Sequence, residues 1–112
     1  MTYKELAAAI RRGHTMIGER GTYLACGAGC ALAAGVVGAE ILPVSGFFNG
    51  VDEAARLLGI KESLARKIST MHSLGAPRLF IANWLDSPEE PGESNDAYYQ
   101  RVMNEITEKV TA

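Results

Sequence analysis

With 112 residues, 47% of them apolar and 21% charged, the chain is long enough to bury one core unaided and too apolar to be disordered. Its net charge of −2 is uneven: residues 1–20 carry four basic against two acidic side chains, 21–85 five against four, and 86–112 two against seven. No segment therefore has the basic density of a nucleic-acid footprint, and two cysteines four positions apart exclude a disulfide framework, which makes a reducing cytoplasm the expected compartment.

The first element announces itself by a capping box, Thr2 with Glu5 three positions on, followed by Tyr3, Leu6, Ala7, Ile10 and Ile17 at helical spacing. This predicts a helix over 3–17, with His14 on or near its apolar stripe as a half-buried packing residue. Nineteen uncharged residues then separate Arg20 from Glu40, which on length alone is the span of a membrane helix. Composition argues against it: five glycines and six alanines leave only Leu24, Leu32, Val36 and Val37 as strong insertion drivers. A secretory signal is not expected either, because the first twenty residues hold six charges and no apolar h-region.

The glycines of that stretch also fail as a phosphate cradle. Gly27-Ala28-Gly29 begins a G-x-G-x-x-G whose sixth position is Leu32, and no Gly-Lys-Ser/Thr follows anywhere. What remains is local structure. Thr22 to Ala25 suits a short strand, Cys26 to Gly29 a tight turn, and Cys30 to Val37 a helix of small residues that lets another backbone approach closely.

Residues 41–50 mix Pro43, Gly46 and Asn49 with Phe47 and Phe48, so a connecting loop with docked aromatics is expected. A helix over 51–58 ends at Gly59, and another over 61–73 turns Leu64, Ala65, Ile68 and Met71 inward before Gly75. Pro77 opens the next helix, whose Leu79, Phe80, Ile81, Trp84 and Leu85 predict heavy burial. A proline-rich loop at 87–94 leads to a C-terminal helix over 95–111 with Tyr99, Val102, Met103, Ile106 and Val110 in one stripe and Glu105 and Lys109 paired outside it. The fold class is thus mainly α: one domain over 1–112, of about five helices with a short N-terminal hairpin or strand.

Two motifs carry a family resemblance. Cys30-Ala31-Leu32-Ala33-Ala34 after a Gly-Thr-Tyr strand, and Ile68-Ser69-Thr70-Met71 leading to Ile81-Ala82-Asn83-Trp84-Leu85, resemble a group of small bacterial and prophage proteins that carry CALGA early and MND with IADWL later. Ala33 stands where that group has glycine, and His72-Ser73 where it has Asn-Asp. The resemblance covers about residues 3–86 and implies a small helical domain in bacterial cytoplasm, with no activity attached.

Three constellations bear on function. Cys26, Cys30, His14 and His72 are the available soft metal ligands, but they lack the paired spacing of a zinc knuckle, so no metal or other cofactor is expected. Residues 52–72 carry the small-turn-apolar pattern of a helix-turn-helix, with Ala55, then Gly59 four residues later, then Ile68 in the second helix, which would expose Glu62, Ser63, Arg66 and Lys67. Residues 52–78 carry only five basic against three acidic side chains, a weak attraction for phosphate. A thiol enzyme would need Cys30 brought to His14 or His72, and no nucleophile elbow or paired-carboxylate motif supports one. The expected function is that of a small interaction or accessory protein acting through its surface, as a homodimer and with another protein, away from membranes. The DNA-binding regulator is the alternative.

Overall fold

In the computed structural model, which describes residues 1–19, 24, 25, 27–86, 100, 101, 103 and 104, five helices and one pair of very short strands are built in chain order: α1 (Tyr3–His14), β1 (Gly18–Glu19), β2 (Ala28–Gly29), α2 (Ala31–Gly38), α3 (Val51–Leu58), α4 (Glu62–Ser73) and α5 (Arg78–Asp86). The protein is mainly helical, as its periodicity predicts. No helix among the described residues is long and apolar enough to cross a membrane.

The capping box closes as expected: the Glu5 amide donates to Thr2 Oγ1 and the Thr2 amide to Glu5 Oε1, each at 3.1 Å. Helix α1 then stops three residues short of the predicted end. Ile17 is still buried at the end of the turn that follows, so the apolar stripe outruns the helix that begins it.

Helix α2 is the hub of the fold, and all eight of its residues are buried. Alanine and glycine are what make this central position workable. A Cβ added at Gly13 of α1 would lie 1.8 Å from the Ala34 carbonyl oxygen of α2, and one added at Gly38 of α2 would lie 1.8 Å from the Ala9 carbonyl oxygen of α1. Ala9 with Gly13 and Ala34 with Gly38 are each four apart, so two helical faces without side-chain bulk cross backbone to backbone. Arg12 Nε donates to the Gly38 carbonyl at 3.0 Å, satisfying an acceptor at the C-terminal end of α2 that the helix itself cannot.

Helices α3 and α4 follow the sequence pattern closely. Gly59 ends α3 in the left-handed conformation (φ 66°, ψ 38°), and Leu64, Ala65, Ile68 and Met71 of α4 are all buried. Helix α5 departs from expectation in two ways. Pro77 lies just before it, with its carbonyl accepting from the Ile81 amide. Leu79 and Phe80 remain 43% and 37% exposed while Ile81, Ala82, Trp84 and Leu85 are buried, because a helix packed on one side buries only one face however apolar the other is. The aromatics of the 41–50 loop likewise divide: Phe48 is fully buried and Phe47 exposed.

The strand pair is short and parallel, Gly18 opposite Ala28 and Glu19 opposite Gly29. Ala28 and Gly29, expected within a turn, are one of its strands, and Ala25 makes only an isolated bridge to Ala28. Leu24 of the expected 22–25 strand is a buried bend and not a strand residue, while Thr22, Tyr23, Cys26, the 87–94 loop and most of the C-terminal helix lie outside the described residues. Of that helix's stripe, Met103 is described: it is helical, half-buried and packed against the core.

Candidate functional site

The chemistry-bearing side chains of the interior gather around Arg78, which sequence reasoning had passed over. It is the first residue of α5 and only 2% exposed. A guanidinium offers five N–H donors in a fixed plane, and all five are engaged. Nε donates to His14 Nδ1 at 3.1 Å. One terminal nitrogen donates to the carbonyls of Gly18 at 3.0 Å and Gly29 at 3.3 Å, the other to those of His14 at 3.1 Å and Ile17 at 2.9 Å.

These acceptors explain the local fold. The carbonyl of His14 lies at the C-terminal end of α1, where helical acceptors run out of amide partners and a cation is favoured, and that of Ile17 lies at the end of the turn that follows. Those of Gly18 and Gly29 belong to β1 and β2, so a single side chain staples the two strands to each other and both to the end of α1. A strand pair of two residues each has little stability of its own. Arg78 supplies the missing bonds.

Glu19 completes the cluster. Its Oε1 accepts from the Arg78 main-chain amide at 3.1 Å, placing a carboxylate at the N-terminal end of α5, and lies 3.4 Å from His72 Nε2 in the last turn of α4. Burial acts to raise the Glu19 carboxyl, but the Arg78 amide, the Arg78 charge and His72 together hold it below its ordinary value. Burial pulls the Arg78 guanidinium down, and the Glu19 carboxylate works against that. Arginine nonetheless stays charged at any ordinary pH.

Cys30 begins α2 at its N-cap, buried and as a free thiol. Burial pushes the thiol up, against the opposing pull of amides at the start of α2 and of the Arg78 charge. A neutral thiol is a poor nucleophile.

The fold thus draws His14, His72 and Cys30 to one region, but it spends the imidazoles on Arg78 and Glu19. Neither histidine is hydrogen-bonded to Cys30 among the described residues, and no group of three or more His, Cys, Asp or Glu side chains there is placed to hold a metal. Cys26 lies outside the described residues. Arg78 left one sequence signal: it is the only charge between Leu74 and Ala82, in a segment otherwise read as core. Glu19 left none, since its role depends on three elements meeting.

The alternative site lies at the α3–α4 turn. Arg66 is exposed and its guanidinium donates to Glu62 Oε1 four residues earlier, through Nε at 3.1 Å. Lys67, with Tyr3, Lys61 and Ser63, lines an open depression of about 530 Å³ beside Gly59. Elsewhere, Met16, Val37, Ile41, Leu42, Pro43 and Val44 line an apolar depression of about 380 Å³ in which Glu40 is the sole charged residue. Compared with family models, with curated proteins and with solved structures, the chain matches none of them.

Proposed function

We propose that this chain is a small interaction or accessory protein that works through its outer surface, binding a second copy of itself and a further protein in the bacterial cytoplasm. The observation that carries this reading is the apolar relief on the outside. Single exposed apolar residues are ordinary. Here Met16, 49% exposed, joins five other apolar residues around one depression, and Phe47, on the loop that forms its wall, is 67% exposed. The polar cluster supports the same reading, because buried Arg78, half-buried His14 and His72 and the exposed Glu19 are occupied in bonding one another and the backbone. The resemblance to small bacterial and prophage proteins fits a protein of this kind.

Sedimentation over a concentration series tests it. The wild-type protein is expected to dimerise, and Met16→Glu with Phe47→Ser, both on exposed side chains, to yield a folded monomer. A wild-type protein that stays monomeric at every concentration, or a dimer indifferent to both changes, would remove the support.

A second reading, a helix-turn-helix DNA-binding regulator using residues 52–72, is favoured by one specific geometry. Two helices are joined by the three residues Gly59 to Lys61, with a left-handed glycine at the corner and Ala55, Leu58, Ala65 and Ile68 inside. Lys61, Ser63, Arg66 and Thr70 face outward. The Glu62 carboxylate on Arg66 weakens that face for phosphate. Retention of random duplex DNA that falls steeply between about 50 and 200 mM salt, and is lost in Arg66→Ala with Lys67→Ala, would establish this reading over the first.

A further inference from the structure

We propose that His14 and Arg78 form a proton-sensitive latch at the junction of α1, the strand pair and α5, closed while the His14 imidazole is neutral and released when it takes up a proton. The inference is independent of which partner the surface binds. It starts from the direction of one hydrogen bond. Arg78 Nε is always a donor, so His14 Nδ1, 3.1 Å away, must offer a lone pair. The ring proton therefore sits on Nε2.

A proton on Nδ1 would turn that acceptor into a donor facing a donor. It would also set an imidazolium against a guanidinium that is only 2% exposed, where solvent screens little. The groups around the guanidinium offer no relief. Cys30 at the start of α2 carries a thiol that burial keeps neutral. Glu19 on β1 is the sole anion among the described groups of the cluster, and it is already shared between the Arg78 amide and His72 of α4.

Release of Arg78 is not a local event, because the same side chain holds the carbonyls of His14, Ile17, Gly18 and Gly29. The start of α5 and the strand pair come free of α1 together. His72 acts in the opposite sense, since a proton on its ring strengthens the contact with Glu19 Oε1. The response of the intact protein is the difference between the two, and substitution separates them.

Imidazole is the ordinary side chain that changes charge between about pH 5 and 8, so hydrogen exchange should be followed from about pH 7.5 to pH 5.5 and corrected for its intrinsic pH dependence. The informative amides are those of Arg78, held by Glu19, and Gly18, held by the Gly27 carbonyl at 2.9 Å. Their exchange is expected to quicken about tenfold in the wild-type protein, as loss of one charge-assisted hydrogen bond implies, and further in His72→Gln. In His14→Asn, whose side-chain carbonyl accepts from Nε at either pH, it should not quicken, and the remaining His72–Glu19 contact should leave it level or slower. Exchange that does not quicken toward low pH in His72→Gln, where the opposing contact is gone, or that quickens equally in His14→Asn, overturns the latch. Ring nitrogen chemical shifts of the wild-type protein decide the case even if that variant does not fold: a bare Nδ1 and protonated Nε2 on His14 near neutral pH are expected, and a proton on Nδ1 refutes the proposal.

Discussion

Gly13→Ala adds a single methyl group to the α1–α2 crossing and tests whether that crossing is as close as the structure places it. The new Cβ would lie 1.8 Å from the Ala34 carbonyl oxygen, 2.6 Å from its carbon and 2.9 Å from its Cα. An unstrained carbon–oxygen approach is about 3.3 Å, so the helices must part by roughly 1.5 Å. All three opposing atoms are backbone, and no rotamer change relieves them. Overpacking of this kind costs about 3 kcal/mol at the upper end of its usual range, offset by about 1 kcal/mol of helix propensity gained on replacing glycine. The net loss of about 2 kcal/mol corresponds to a fall in Tm of about 8 °C for a domain of this size. Gly35→Ala is the control, since its Cβ would meet only side-chain ends, Leu6 Cδ1 at 3.2 Å, Ile10 Cγ1 at 3.5 Å and Leu58 Cδ2 at 3.6 Å. That variant should stay within about 1 kcal/mol of the wild type. Thermal melts followed by circular dichroism measure both, and a Gly13→Ala protein that melts with the wild type would show that the close crossing is not what holds α1 on α2.

Trp84 is 1% exposed on the inner face of α5, and Trp84→Ala should cost about 3 to 5 kcal/mol in a urea titration; an unchanged midpoint would contradict its place in the core. The Glu19 carboxyl is held below its ordinary value by the Arg78 amide and charge and by His72, against the opposing effect of burial. Its contribution is therefore fully present above the unfolded carboxylate range and is lost as pH falls through the lower folded value. Glu19→Gln should flatten this acid limb of the stability profile, and a variant with the wild-type acid limb would deny the carboxylate that role. Cys30 is buried with its thiol pushed up by burial, so at neutral pH it should react with iodoacetamide only as fast as the protein opens. Mass spectrometry of peptides from the native protein checks this, and modification of Cys30 at the rate of a free thiol would count against it.

Local signals in the chain set the helices and their ends wherever a side chain acts on its own neighbourhood. Thr2 with Glu5 starts α1, Gly59 stops α3, and the spacing of Leu64, Ala65, Ile68 and Met71 orients α4. The small residues of 31–38 foretold close packing, and the crossing at Gly13 and Gly38 is its form. Tertiary contact decided the rest. Helix α5 buries Trp84 and exposes Phe80, a distinction that an almost uniformly apolar segment cannot encode, because which face is covered depends on where α1 and α4 lie. The strands at 18–19 and 28–29 and the end of α1 are held together by Arg78, far along the chain, which donates to four backbone carbonyls there. Periodicity reports bonds between near neighbours, whereas the cluster of His14, Glu19, Cys30, His72 and Arg78 forms only when five elements converge. Its assembly is a property of the fold, and its members carry no spacing by which the sequence alone could join them.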